Sequence, residues 1–302
     1  VMNWLGLLFL VFFVFLVADL GTVFGLVWRS HLQTIRMTAL VLGLMLAGLA
    51  FMQASRPPKT TEIEVRLEGL PPEHDGLKIV AMSDTHVGAF INADWLQARV
   101  EQINALEPDL VLLLGDIFEG DYPLDDPEAI QQALRSIGAP FGVLGVTGNH
   151  ELHGGQEVSV QFLEEANIEI LRNEWRQVLP GLAVGGVDDG GYRESREEAV
   201  DRIRRVLDSI PADGATILLT HRPRMIEEAE AAGVELMLSG HTHGGQIWPF
   251  SYLARLANPL IAGRYEIGTM TAFVTRGAGT WGPRMRLWSP GEIVRIVLRP
   301  DL

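Results

Sequence analysis

The 302-residue chain contains no cysteine. Disulfides, iron–sulfur clusters, thiolate zinc sites and cysteine nucleophiles are therefore excluded together. Positive charge is also scarce: 24 Lys and Arg stand against 38 Asp and Glu, a net charge of −14. Nucleic-acid binders usually carry a basic patch, so nucleic acid is not an expected partner. A phosphate-bearing ligand must be drawn in by something stronger than the general surface field. Internal repeats are lacking, and so are low-complexity linkers beyond a short Pro57-Pro58 junction.

Two stretches near the start lack charge almost entirely. Asp19 is the only charged residue from Val1 to Trp28, and Leu5–Val17 has no polar side chain. Met37–Ala54 is a second uncharged run of 18 residues, ~27 Å long as a helix. A signal peptide would begin with basic residues and offer one short apolar stretch. Two long runs without a basic start instead predict a membrane region over residues 1–54, with spans at about 4–28 and 37–54. The connecting Trp28–Arg36 segment carries Arg29, His31 and Arg36. Asp19 is costly at membrane depth unless it is paired or close to the interface. The first residue is Val rather than Met, which leaves room for further spans upstream.

Arg56-Pro57-Pro58-Lys59 ends the second run, because paired prolines cannot continue a helix. Residues 55–76 read as a linker and a first strand, Thr61–Leu67, where Ile63, Val65 and Leu67 alternate with charged residues. Further strands are expected at Lys78–Met82, Leu110–Leu114, Phe141–Val146, Leu182–Val187, Ile217–Thr220, Glu235–Leu238, Thr271–Thr275 and Ile293–Leu298. Amphipathic helices are expected at Asp94–Leu106, Pro127–Ser136, Val158–Asn167, Ser195–Ile210 and Pro223–Ala232. Such alternation predicts one α/β domain, over about residues 77–302, with helices covering sheet faces.

Five short segments follow the apolar strands: Asp84-Thr85-His86, Gly115-Asp116, Gly148-Asn149-His150-Glu151, His221, and Gly240-His241-Thr242-His243. A side-chain period of two would direct Asp84 with His86, and His241 with His243, to one side as the chain leaves the sheet. Each segment alone is commonplace, but the ordered set points to a metal site. Carboxylate, imidazole and one amide oxygen suit Mn²⁺, Fe, Zn²⁺ or Co²⁺ rather than Ca²⁺. If Asp116 bridges, the seven residues Asp84, His86, Asp116, Asn149, His221, His241 and His243 give each of two metals four ligands. Two divalent ions against two carboxylates leave about +2 by formal counting, enough to hold a bridging hydroxide and attract a phosphate. Asn149 ligates without cancelling that charge. Two metals ~3.5–4 Å apart suit in-line attack on phosphorus. His150 is the candidate general acid or electrostatic stabiliser of the leaving group, and Glu151 the candidate orienter of its imidazole.

With these motifs the sequence resembles the calcineurin-like metallophosphoesterase superfamily, whose blocks are Asp-x-His, Gly-Asp, Gly-Asn-His-Glu/Asp, a lone His and Gly-His-x-His. The resemblance covers about Leu77–Leu302 and implies an αββα sandwich with a binuclear centre on the loops at its strand ends. It implies Asp84, His86 and His243 on the first metal, Asn149, His221 and His241 on the second, and Asp116 on both. Gly115–Asp121 lacks the Arg of the protein Ser/Thr phosphatases, which disfavours that activity. Glu119 stands where purple acid phosphatases have a Tyr ligand, which disfavours a tyrosinate-bound Fe³⁺.

Gly76–Val80 and Gly244-Gly245-Gln246 are similar to bacterial membrane-attached members. The resemblance therefore implies a membrane-anchored hydrolase of a phosphodiester or a lipid-linked pyrophosphate, with membrane lipids as surroundings. UDP-2,3-diacylglucosamine, the substrate of some relatives in lipid A synthesis, is one specific option. A non-catalytic metal-binding scaffold is the competing reading, disfavoured because no ligand of the set is missing. Arg276, Arg284 and Arg286, around Gly277–Gly279, are candidate phosphate contacts. Trp248, Pro249 and Phe250 are candidates either to face an acyl chain or to pack in the core. If the Arg29–Arg36 loop is cytoplasmic, the catalytic domain lies outside a bacterial plasma membrane; Arg56, Lys59 and Arg66 weaken that asymmetry. A nucleotide-linked substrate would require the opposite face.

Overall fold

The computed structural model describes residues 2–88, 90–120, 124–191, 194–211 and 213–301. Asp121, the last residue of the Gly-Asp stretch, lies outside the described residues, as do the chain ends Val1 and Leu302. Two long helices come first, α1 (Met2–Gly21) and α2 (Leu32–Ala54). They are followed by β1 (Lys59–Leu67), β2 (Lys78–Met82), α3 (Ala93–Asn104), β3 (Leu110–Leu113), α4 (Pro127–Arg135), β4 (Val143–Gly145), α5 (Asn149–Glu165) and β5 (Glu169–Ile170). The second half runs β6 (Glu174–Leu179), β7 (Leu182–Val187), α6 (Arg196–Leu207), β8 (Ala215–Thr220), α7 (Ile226–Ala231) and β9 (Leu236–Ser239). It closes with α8 (Phe250–Ala257), β10 (Gly263–Ile267), β11 (Met270–Val274) and β12 (Glu292–Pro300).

The strands form two six-stranded sheets, ordered β1-β12-β2-β3-β4-β5 and β10-β11-β9-β8-β7-β6. Strands β2, β3, β4 and β5 run parallel, as do β7, β8, β9 and β11. Strand alternation sorts their side chains into layers. Ile79, Ala81, Leu110 and Leu112 face Ile217, Leu219, Leu236 and Leu238 in the core between the sheets. Their neighbours Val80, Met82, Val111 and Leu113 pack outward on Leu96, Val100 and Ile103 of α3, Ile130 of α4 and Leu163 of α5. On the far side Leu218 and Met237 pack on Ile203 and Val206 of α6 and Ala229 of α7. The result is the αββα sandwich, and the C-terminal ends of β2, β3, β4, β8 and β9 release the five motif segments.

Several elements differ from the expected ones. The first apolar helix ends at Gly21, not near residue 28. There Thr22 Oγ1 donates back to the carbonyl of Ala18 (2.9 Å), and Val23, Phe24 and Gly25 take positive φ. Helix α5 begins at Asn149, well before Val158, and breaks at Gly155 (φ 101°). Its first two turns are largely polar and include Gly154 and Gly155, so hydrophobic periodicity does not reveal it. Helix α7 is shorter than expected, and β5, β6, β10 and α8 carry no sequence signal, being sheet-edge or exposed segments without a clean apolar period.

Helices α1 and α2 pack against each other along Ala39, Gly43 and Ala47. A Cβ on Gly43 would stand 2.8 Å from Val11 Cα, so a small residue sets this close approach. Only 11% and 22% of their apolar windows are buried, which separates them from core helices and leaves them able to span a membrane. Asp19 lies 3.8 Å from Arg36 of α2, the partner a buried-depth carboxylate needs. The pair also docks on the domain: Leu10, Ala47 and Ala50 cluster with Ile247, Met285 and Leu287. Arg286 N donates to the Ala50 carbonyl (3.0 Å), Arg284 N to Asn3 Oδ1 (2.8 Å) and Trp288 N to Gln53 Oε1 (2.9 Å).

Candidate metal centre

All seven proposed ligands sit just beyond the ends of strands, and six of the side chains converge in two clusters. Asp84, His86 and His243 bring their ligand atoms within 4.8 Å of one another, as do Asp116, His221 and His241. His86 Nε2 is 3.1 Å from His243 Nε2, and His243 Nε2 is 3.5 Å from Asp84 Oδ1. Asp116 Oδ2 lies 3.1 Å from His221 Nε2 and 4.0 Å from His86 Nε2, so this carboxylate stands between the clusters. A third grouping joins His86 and Asp116 to His150.

The side chains converge by a different route from strand alternation. β2 ends at Met82 and β9 at Ser239. Beyond them Asp84, His86, Asp116, His241 and His243 all have φ between 49° and 71°. This left-handed backbone is costly for side-chain-bearing residues, about 1–3 kcal/mol each, and persists only where the surroundings hold it. Here the backbone amides do so. His241 N donates to both oxygens of Asp84 (3.0 and 3.1 Å), and His150 N donates to Asp116 Oδ1 (2.9 Å). Gly148 is required by close approach: a Cβ there would stand 2.2 Å from Asp116 Oδ1.

Glu151 does something other than orient His150. Its fully buried carboxylate accepts the backbone N–H groups of Asp116 (2.9 Å), Phe118 (2.9 Å) and Gly148 (2.8 Å), tying the β3 exit to the β4 exit. His150 is held by Glu119 instead: its Nδ1–H donates to the Glu119 carbonyl (3.2 Å), which leaves Nε2 available to a substrate. The Glu119 carboxylate meanwhile lies 2.9 Å from His86 Nδ1. One residue thus supports two imidazoles, a role invisible in sequence except as the missing tyrosine.

Of the candidate phosphate contacts, Arg276 pairs with Glu292 (3.0 Å), and neither Arg276 nor Arg284 lines the cavity beside the ligands. Arg286 is fully buried and donates to the carbonyls of Arg276, Gly277, Gly279 and Ser289. It clamps a loop that in turn fixes the Asp84 segment, through Ala278 N to Ser83 O (2.9 Å) and Gly279 N to Asp84 O (2.8 Å). The single signal for this was an arginine in an apolar context, Met285-Arg286-Leu287.

Burial shapes the charges. His241 is pushed down to about 2 by burial and by the charge of His221, and burial holds His243 well below its ordinary range. Both therefore stay neutral, the form that ligates metals. Burial opposes ionisation of Asp116, but His221 outweighs it and holds the carboxyl below its usual range. The same pairing carries His221 up to about 10 against the effect of burial.

Two atoms test whether a cation suits this centre. Asn149 Oδ1 is buried without a hydrogen-bond partner, a state that costs about 1–3 kcal/mol. His221 Nε2 is out of line for a hydrogen bond despite its closeness to Asp116. The unpaired Asn149 oxygen, set among carboxylates and imidazoles, fits a metal ion, which would take the place of the proton that Asp116 favours on His221 Nε2.

The sequence profile of the calcineurin-like phosphoesterases matches residues 77–245. The chain belongs to this family. A Helicobacter pylori protein named as an uncharacterized metallophosphoesterase is 36% identical over 83% of this chain and 66% of its own. A zebrafish protein, named as a transmembrane protein with a metallophosphoesterase domain, is 32% identical over 89% of this chain and 63% of its own. A Campylobacter jejuni metallophosphoesterase is 31% identical over 87% and 69% respectively. The chain thus spans just under two thirds of the length of the first two. Divalent metals belong to the chemistry of the family, and the two clusters are where this member could hold them.

A cavity of about 590 Å³ opens beside the clusters. Part of its wall is His86, Asp116, Asn149, His150, His241 and His243. Another part comes from α1 (Met2, Leu5, Gly6 and Phe9) and from α8 (Phe250, Leu253 and Ala254).

Proposed function

We propose that the chain is a membrane-anchored phosphoester hydrolase acting through two divalent cations. The observation that carries this reading is the pair of buried ligand clusters flanking Asp116 on the wall of a cavity that also contains His150. Asp84, His86 and His243 would hold one cation, Asn149, His221 and His241 the other, and Asp116 both. Bound there, two divalent cations would supply an activated water and neutralise charge on the phosphoryl oxygens; Mn, Fe, Zn and Co all suit the donors.

Hydrolysis forms one phosphorus–oxygen bond from water and breaks the ester bond to the leaving oxygen. The water loses a proton, and the leaving oxygen gains one. His150 would deliver that proton from Nε2, a reading supported by the engagement of its Nδ1–H with the Glu119 carbonyl. Glu151 keeps the Asp116 and Gly148 loops in register, while the apolar wall limits the water that reaches the leaving group.

Turnover of bis-p-nitrophenyl phosphate with added Mn²⁺, abolished by a chelator and restored by metal, tests the reading. His150→Ala should cut kcat by about 10²–10⁴-fold while keeping its metal content. Normal activity in that variant would remove the proton-transfer role. Protein that binds metal yet is inert toward every phosphoester would instead favour a scaffold.

The natural substrate is read as a phosphodiester or a lipid-linked pyrophosphate. The outward apolar faces of α1 and α2, and the zebrafish relative's name, support anchoring in a membrane. We assign the domain to the extracytoplasmic face of a bacterial plasma membrane, from Arg29 and Arg36 at the helix connection. Protease digestion of the domain in intact spheroplasts is the expected result. Protection would place it inside and bring back a nucleotide-linked substrate such as UDP-2,3-diacylglucosamine.

A further inference from the structure

The first apolar helix is more than an anchor, because it builds part of the cavity that contains His150. Leu5 and Phe9 of α1 line it together with Phe250 and Leu253 of α8, and the Phe9 and Phe250 rings stack at 4.2 Å. Gly6 permits this approach: a Cβ there would meet Met285 Sδ at 2.6 Å. A water-soluble ester gains nothing from a wall contributed by a bilayer-spanning helix.

Depth points the same way. Residues 2–9 begin α1, and Ala50 and Gln53, near the end of α2, bond to Arg286 and Trp288 of the loop that supplies Trp281, Gly282 and Pro283 to the cavity wall. The cavity is therefore level with one end of both spans, where a bilayer changes from hydrocarbon to headgroups. Trp281 lines it, and Tyr252 and Leu256 of α8 and Trp288 are, like Trp281, more than half exposed, as at a membrane interface.

Resting on the hydrolase reading above, we propose that the substrate is a membrane-lipid phosphoester. Its phosphoryl group lies among His150, Asp116 and the other ligands, and its acyl chain lies between α1 and α8, entering sideways from the bilayer. Hydrolysis is as balanced above: water adds to phosphorus, the ester oxygen leaves with one proton, and no other reactant is consumed.

Two measurements on the full chain in nanodiscs test this. In the first, methyl and decyl p-nitrophenyl phosphate, which share a leaving group, are compared below the micelle concentration of the decyl ester. Burial of several methylenes predicts a kcat/KM at least about a hundredfold higher for the decyl ester. Leu253→Trp, which narrows the tail path, should lower the decyl-to-methyl ratio at least tenfold. Leu256→Trp, 85% exposed and outside the cavity wall, should leave the ratio as in wild type. Equal turnover of both esters by wild type overturns the lipid inference but leaves the hydrolase reading standing. Turnover of neither removes the hydrolase reading itself.

The second measurement does not depend on turnover. A diacyl phosphonate with a diazirine in one chain, which the enzyme cannot cleave, is photolysed with the Mn²⁺-loaded protein. Adducts are expected at Leu5–Phe9 and Phe250–Ala254, and to be weakened by Leu253→Trp. Labelling identical to that of a diacylglycerol probe with the same tail would overturn the proposal.

Discussion

Glu151 offers the sharpest test of the site's construction, because its position in the motif and its contacts imply different roles. Beside His150 in sequence, it reads as the carboxylate that orients the imidazole. In the structure it accepts three buried backbone N–H groups, from Asp116, Phe118 and Gly148. Glu151→Gln preserves size and one oxygen. Placed where it serves Asp116 and Gly148, the amide turns its NH₂ toward the Phe118 N–H, so two donors face each other. One bond is lost, and the Phe118 N–H and the amide NH₂ are both left without an acceptor, at least about 2 kcal/mol. Glu151→Ala strands all three donors, and partial repair by water leaves a loss of about 4 kcal/mol. For a domain of this size, Glu151→Gln should lower the thermal midpoint by roughly 4–8 °C. Circular dichroism of chelator-treated protein in detergent measures this without a contribution from bound metal. Metal affinity should also weaken, because the Asp116 backbone loses its tether. A Gln variant that melts within about 1 °C of wild type, but has a shifted pH profile for kcat, would refute the tether and restore the imidazole-orienting role.

Asp116→Asn should lose at least one of the two ions by elemental analysis, and retention of both would contradict a shared carboxylate. Gly148→Ala should destabilise by about 1–3 kcal/mol, since its Cβ would overlap Asp116 Oδ1; an unchanged denaturation midpoint would show that the β4 exit yields. Glu235 is raised from its ordinary 4.5 to about 7, chiefly by burial. Folding therefore favours its protonated form. That contribution is complete below pH 4.5 and is lost as the pH rises through 7. Glu235→Gln keeps an acceptor for Thr216 N–H and removes the charge. After discounting for the part of the side chain that water screens, it should gain about 1 kcal/mol at pH 8 and nothing at pH 4. Urea titrations at the two pH values check this, and an equal effect at both would contradict it.

Much of the fold was legible because buried parallel strands are written as short apolar runs. Lys78–Met82, Leu182–Val187 and Met270–Val274 lie where those runs are. Edge strand β6 and helix α8 were not, because half-exposed segments carry no clean period. At the centre, residue type announced the metal chemistry, but geometry came from elsewhere. Asp84 and His86 converge through left-handed backbone and not through strand alternation. Arg286, grouped by sequence with substrate contacts, is a buried clamp on the 276–289 loop.

Sequence alone determined the donor set, its order after the strands and the two apolar runs, since these depend on residue type and local period. Tertiary structure decided which side chains meet and what supports them. Glu151 reaches across 35 positions to Asp116, and Phe9 reaches Phe250. Such contacts depend on how the sheets and helices stack, and no local pattern encodes them. For the same reason α1, an apolar run in the sequence, becomes a wall of the cavity.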